Sequence, residues 1–152
     1  MVIKKAKGCY IYDSNGSRYI DTTMGSGAQI IGHNNELIRK TFNQVKRGTI
    51  YTIPNHHTKK VNSLLKNINP HFYDEYIFCN SGTEANMRAI RLARAYTKKD
   101  IIGRFHGGWH GGLDGCIEGD GVPSETNSLF KILPYNDDKC FDMLTKDLAS
   151  VI

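Results

Sequence analysis

The amino-acid sequence predicts an α/β fold built on a mostly parallel sheet. Three observations carry that expectation. From Glu75 onward short apolar runs alternate with amphipathic ones, in the order strand, helix, strand and then strand, helix. Before that point two amphipathic segments follow a hairpin and are closed by Gly48 and Pro70. The chain also has the material for a core, with 152 residues of which 39% are hydrophobic and 23% charged.

Cys9 to Asp21 reads as a hairpin, with Tyr10, Ile11 and Tyr12 on one strand and Arg18, Tyr19 and Ile20 on the next. Asp13-Ser14-Asn15-Gly16 is the turn, since Asn-Gly supplies the positive backbone angles a tight turn requires. Thr22 to His33 is rich in glycine and small residues and reads as a loop lying close to something. Asn35 to Gly48 has helical spacing in Leu37, Ile38, Phe42 and Val45, and His57 to Ile68 has it in Val61, Leu64, Leu65 and Ile68. Glu75 to Cys79 is expected as a strand and Ser81 to Thr97 as a helix, the latter with Ala85, Ala89, Leu92, Ala93 and Tyr96 on one face. Ile101 to Phe105 is the next strand, and His106 to Pro123, holding seven glycines, is a long loop. Phe130 to Leu133 reads as a strand and Asp138 to Leu148 as a helix. Ala149 to Ile152 reads as the start of a buried strand, from which truncation is expected.

Several function classes fit poorly. No apolar run approaches the ~20 residues of a membrane-spanning helix, and the lysines near the start precede no apolar stretch, so a cytoplasmic setting is expected. The net charge of +5 is scattered, which argues against a nucleic-acid surface. Cys9, Cys79, Cys116 and Cys140 form no C-x-x-C pair, and neither a zinc site nor a disulfide scaffold is expected. Gly25-Ser26-Gly27-Ala28-Gln29-Ile30 lacks the last glycine of the dinucleotide fingerprint, and no phosphate-binding G-x-x-x-x-G-K-S/T or G-x-S-x-G elbow is present.

Two stretches carry chemistry. In Cys79 to Asn86 a strand gives way to a helix through Ser81-Gly82-Thr83, with Glu84 placed to complete a capping box. The first-turn N–H groups lack helical acceptors and favour an anion, Gly82 permits close approach, and the Ser81 and Thr83 hydroxyls add donors. A plain capped helix with no ligand accounts for the same residues. In Phe105 to Gly112 the one tryptophan, Trp109, sits beside His110 and is flanked by glycines. Such a ring is free to stack on a flat ligand, or else plugs the loop onto the core. His106 and His110 have no Cys or carboxylate at ligand spacing, so no metal is expected.

Taken in order, these residues resemble the class III pyridoxal-phosphate (PLP) aminotransferases, and within them the glutamate-1-semialdehyde aminomutase group. The matching segments are Tyr12 to Gly16, Tyr19-Ile20-Asp21, Gly25-Ser26, Ile31-Gly32-His33-Asn34, and Asn80 to Ala85 with Ala89 to Arg94 and Tyr96-Thr97. Trp109-His110-Gly111, Gly121-Val122-Pro123, Pro134-Tyr135-Asn136-Asp137 and the run into Ala149 to Ile152 continue the match. The resemblance implies a fold type I PLP-dependent transferase, of which residues 1–54 would be an N-terminal segment and 55–152 the first part of the large α/β domain. It implies that Ser81, Gly82 and Thr83 bind the PLP phosphate, that Trp109 stacks on the pyridine ring, and that His110 lies beside it. Gly25 and Ser26 would approach the substrate, a small amino acid or keto acid, in a homodimer when full length.

The resemblance also places the Schiff-base lysine and the carboxylate that pairs with the pyridine nitrogen beyond Ile152, so the 152-residue chain alone is expected to be inactive. Gly111 to Asp120 is shorter than the aminomutase loop, and Gly27 stands where that group has tryptophan. The shorter loop favours an ordinary aminotransferase, moving an amino group between an amino acid and a keto or aldehyde acceptor. The alternatives are the aminomutase of tetrapyrrole synthesis, or an inactive fragment or non-enzymatic module.

Overall fold

A computed structural model describes residues 1–33, 35–71, 73–117 and 119–152. Two compact units divide the chain, Met1–Pro70 and His71–Ile152.

The first unit opens with an antiparallel meander of β1 (Ile3–Lys7), β2 (Tyr10–Asp13) and β3 (Arg18–Ile20). The β2–β3 hairpin is as expected, with Tyr10 opposite Ile20 and Tyr12 opposite Arg18. Its turn differs in one respect. Only Gly16 takes a positive φ, +87°, and the half-turn is held instead by Asp13. That buried carboxylate accepts from the Asn15 and Ser17 N–H groups, both at 2.9 Å, and from the Tyr19 hydroxyl at 3.1 Å. The strand β1 was not anticipated, because its lysines hide the apolar alternation. It is specified by its partner, with Lys7 opposite Tyr10 and the Lys5 ammonium 4.7 Å from the Tyr12 ring centroid.

Two helices follow, α1 (Asn35–Val45) and α2 (His56–Ile68). Asn55 caps α2 by accepting from the Thr58 N–H at 3.0 Å. The apolar faces read from the sequence are present and lie open. Leu37, Ile38, Phe42 and Val45 of α1 are each at least half exposed, as are Leu64 and Ile68 of α2. Compactness groups α2 with the first unit, a different partition from the family-based division after residue 54.

The second unit is a parallel sheet under a helix. α3 (Gly82–Thr97) leads into β4 (Ile101–Phe105); a short α4 (Ser124–Ser128) precedes β5 (Phe130–Leu133); α5 (Lys139–Asp142) precedes β6 (Leu148–Val151). Strand order is β5-β4-β6, with both pairings parallel. The centre of the sheet is also the centre of the core. Ile102 and Leu133 are fully buried, Arg104 is buried beside them, and Ile102 packs with Ile90 of α3 and with Cys116. Gly103 suits this strand because a Cβ there would lie 3.0 Å from Leu133 Cδ1 and 3.1 Å from Val151 Cγ2.

Two expectations fail here. Glu75 to Cys79 is not a strand, since a strand exists only in a ladder and none of the described strands lies beside it; Ile77 and Phe78 stay exposed. The helix expected over Asp138 to Leu148 shrinks to α5. The Cys140, Phe141, Met143 and Leu144 N–H groups all bond three residues back, so the segment stays a series of tight turns. Leu148 then joins the sheet opposite Ile101 instead of ending a helix. Helix α4, within what reads as an irregular connection, was also missed.

Candidate functional site

In the second unit the N-terminus of α3 meets the loop that leaves β4, and the two are joined by side chains. Ser81 is the N-cap, with extended backbone and its Oγ accepting from the Glu84 N–H at 3.2 Å. The reciprocal half of the expected capping box is shifted by one residue. Glu84 Oε2 accepts from the Asn80 N–H at 2.6 Å, not from that of Ser81. The Ser81 oxygen therefore takes the Glu84 N–H, while its own proton stays free to donate outward. At Gly82 a Cβ would meet nothing within 4 Å, so the space in front of the helix end is open.

The loop after β4 is shaped around this end. Its start is pinned by the His106 N–H donating to the Leu133 carbonyl at 2.8 Å and by the Gly108 N–H donating to Phe105 at 3.2 Å. His110 folds back so that its Nε2 lies 3.4 Å from the Phe105 carbonyl, a long hydrogen bond that needs the proton on Nε2. A side chain at Gly108 would block this, because its Cβ would sit 2.6 Å from His110 Nε2.

Two bonds then stitch loop to helix. Asn86 Nδ2 donates to the His110 carbonyl at 2.8 Å, and the Gly112 N–H donates to Thr83 Oγ1 at 3.2 Å. Between them Gly111, at φ +98°, lies so close that a Cβ would stand 2.9 Å from Thr83 Cα. Trp109 is carried at the crest of this loop and is 79% exposed. Behind it a cleft of about 240 Å³ is lined by Arg104, Gly107, Gly108, Cys116 and Ile117. Burial pushes the Cys116 thiol up, against the pull of Arg104 and Arg94, so this cysteine stays protonated and packs as an apolar group.

Ser81, Gly82, Thr83, Trp109 and His110 are thus all held by one constellation at the carboxyl end of β4, the usual binding edge of a parallel sheet. Asn86, Gly108 and Gly111, which place the others, are visible in the sequence only as members of motifs, without a role of their own. Gly25 and Ser26 belong to the first unit, in the loop between β3 and α1, at φ +59° and +57°. Asn34 of the resembling motif lies outside the described residues. Among the described residues no three His, Cys, Asp or Glu side chains are grouped to hold a metal ion. Nor is any helix among them long and apolar enough to cross a membrane.

Residues 1–136 match the family described as aminotransferase class-III. The chain is 37% identical, over 95% of its length, to the glutamate-1-semialdehyde 2,1-aminomutase of Methanosphaera stadtmanae, and covers 37% of that protein. It is 34% identical, over 99% of its length, to the protein of the same name from Sulfolobus acidocaldarius, and covers 39% of it. The crystal structure of an omega-transaminase from Sphaerobacter thermophilus superposes with a TM-score of 0.84 at 26% identity, over 99% of this chain and 40% of that one. The chain therefore spans under two fifths of the length of the curated relatives it matches.

Proposed function

This chain belongs to the class-III aminotransferase family, and we propose that the protein is a PLP-dependent transferase moving an amino group between an amino acid and a keto or aldehyde acceptor. Over the stretch it spans, its fold is the α/β fold type I of the family's transaminases. The observation that supports the reading is the stitched corner of α3 and the β4 loop, in which the open N-terminus of α3 is tied to the loop that carries an exposed, glycine-flanked indole.

The corner fits the cofactor's chemistry. The phosphate would lie on the first-turn N–H groups at Gly82 and Thr83, with the Ser81 hydroxyl donating to it. Thr83 Oγ1 already accepts from Gly112, so its proton also remains available. Trp109 would cover one face of the pyridine ring and exclude water from it. His110, oriented by Phe105, would border the ring. When bound, PLP supplies the electron sink for rearranging bonds at the amino-acid Cα. Gly25 and Ser26 would face the substrate. We assign residues 1–54 to an N-terminal segment and 55–152 to the large domain of a cytoplasmic homodimer.

A second reading, the intramolecular aminomutase, is favoured by the names of the relatives above. Titration with PLP tests the site: quenching of Trp109 fluorescence with parallel growth of a shifted cofactor absorbance supports it. Cofactor that leaves the indole emission unchanged would remove Trp109 from the ring. Turnover separates the two activities. An aminotransferase needs an added amino donor and keto acceptor, whereas an aminomutase converts glutamate 1-semialdehyde with neither.

A further inference from the structure

Both ends of the glycine-rich loop between β3 and α1 are tied to the corner that joins β1 to β2. The Asp21 N–H donates to the Cys9 carbonyl at 2.9 Å. Gly8 and His33 exchange both backbone hydrogen bonds, at 3.0 and 2.9 Å. Gly32 permits this contact, since a Cβ there would stand 2.7 Å from the Gly8 carbonyl oxygen. Side chains then close the ring. His33 Nε2 lies 2.9 Å from Asp21 Oδ2, and because a carboxylate only accepts, the imidazole donates. The other oxygen, Oδ1, accepts from the Thr23 and Met24 N–H groups at 3.1 and 2.8 Å. One carboxylate thus gathers two amides near the start of the loop, those of Thr23 and Met24, and the side chain of His33 near its end. The pair is well sheltered, with 12% of the Asp21 and 23% of the His33 side chain exposed.

What the pair encloses is unfavourable by itself. Met24, Gly25, Ser26 and Gly27 are four consecutive residues at positive φ, +46°, +59°, +57° and +85°. A Cβ disfavours that region, so Met24 and Ser26 stay there only if their surroundings enforce it. The turn's own bonds, Gly27 to Thr23, Ala28 to Gly25 and Gln29 to Met24, begin and end inside the loop.

We propose that Asp21 and His33 form a latch that holds the Met24–Gly27 turn left-handed, and so act as positioning residues for the surface that Gly25 and Ser26 present. The importance of that surface rests on the substrate-facing role proposed above; the latch itself does not. The test is amide hydrogen exchange on the full chain, with the amides of α3 and β4 as the internal standard. His33→Ala and Asp21→Ala should each speed exchange at Met24, Gly27 and Gln29 by about tenfold or more, and the double variant should add little. His33→Gln, whose amide nitrogen reaches the same carboxylate oxygen, should restore exchange to within about threefold of wild type. Unchanged loop exchange in His33→Ala, or a glutamine that fails to rescue, would overturn the latch. PLP-loaded protein titrated with L-glutamate reads the other question. Weaker binding in His33→Ala that recovers in His33→Gln supports both ideas. A released loop with unchanged affinity leaves the latch standing and removes the Gly25–Ser26 assignment.

Discussion

Replacing Gly111 by alanine probes the joint between α3 and the β4 loop. At φ +98° an L-residue is held in the left-handed half of conformational space, which costs about 1–2 kcal/mol. The added methyl would also sit 2.6 Å from Thr83 Oγ1 and 2.9 Å from Thr83 Cα, and the second of these is backbone that cannot rotate away. Overpacking of this kind costs about 1–3 kcal/mol, offset by about 0.4–1 kcal/mol from a stiffer unfolded chain. The net expectation is a loss of about 1–4.6 kcal/mol, or displacement of the loop with loss of the Gly112–Thr83 bond. The control is the next residue: Gly112→Ala meets nothing within 4 Å and should change stability by about 0.5 kcal/mol at most. Urea unfolding followed by far-UV circular dichroism measures both, and Trp109 emission reports whether the loop has moved. If Gly111→Ala and Gly112→Ala unfold alike, and the indole signal is unchanged, the close approach of Gly111 to Thr83 is not a constraint in solution.

Three further outcomes are expected. Gly82→Val should abolish measurable PLP binding with little clash inside the protein, whereas Ser81→Ala should weaken it by about 1–3 kcal/mol and loosen the helix cap by about 1 kcal/mol; equal cofactor absorbance titrations for wild type and Gly82→Val would take the phosphate off this helix end. Asn86→Ala leaves the His110 carbonyl without its donor and should lower stability by about 0.5–1.5 kcal/mol and weaken Trp109 quenching by PLP, read by unfolding and by fluorescence titration. The bonds from His33, Met24 and Thr23 hold the Asp21 carboxyl below its ordinary value of 3.8. A depressed folded pKa contributes stability above the unfolded value and loses it as pH falls toward the folded one. Wild type and Asp21→Asn should therefore differ most in melting temperature near neutrality and converge on acidification below about pH 4; a constant difference would place the effect elsewhere.

The parts legible beforehand are those whose signal is local. Helices α1, α2 and α3 announce themselves by spacing, α3 also by its Ser81 cap, and β4 and β5 are compact apolar runs. What failed depends on partners. Glu75 to Cys79 has the composition of a strand without a ladder, and Ile3 to Lys7 has a ladder without the composition. At the site, Ser81 to Thr83 were readable from the cap and Trp109 from its glycines. Thr83's bond to Gly112 and Asn86's to His110 span 29 and 24 residues, a separation at which pairing leaves no periodic trace. For the same reason Asp21 and His33 were visible as members of a motif but not as a pair.

The order of strands β5-β4-β6 also bears on how the chain acquires its shape. The meander of the first unit pairs residues that lie within a few turns of chain, as Tyr12 does with Arg18, and its loops close quickly. The parallel sheet must instead bring Ile101 to Leu148 across the glycine-rich loop, α4, β5 and α5, with little gained until both flanking strands have arrived. During that search the edge of β4 that will pair with β6, destined for the middle of the sheet, waits unpaired. Translation delivers β4 well before β6, so the interval in which the nascent chain is prone to self-association is written into the strand order.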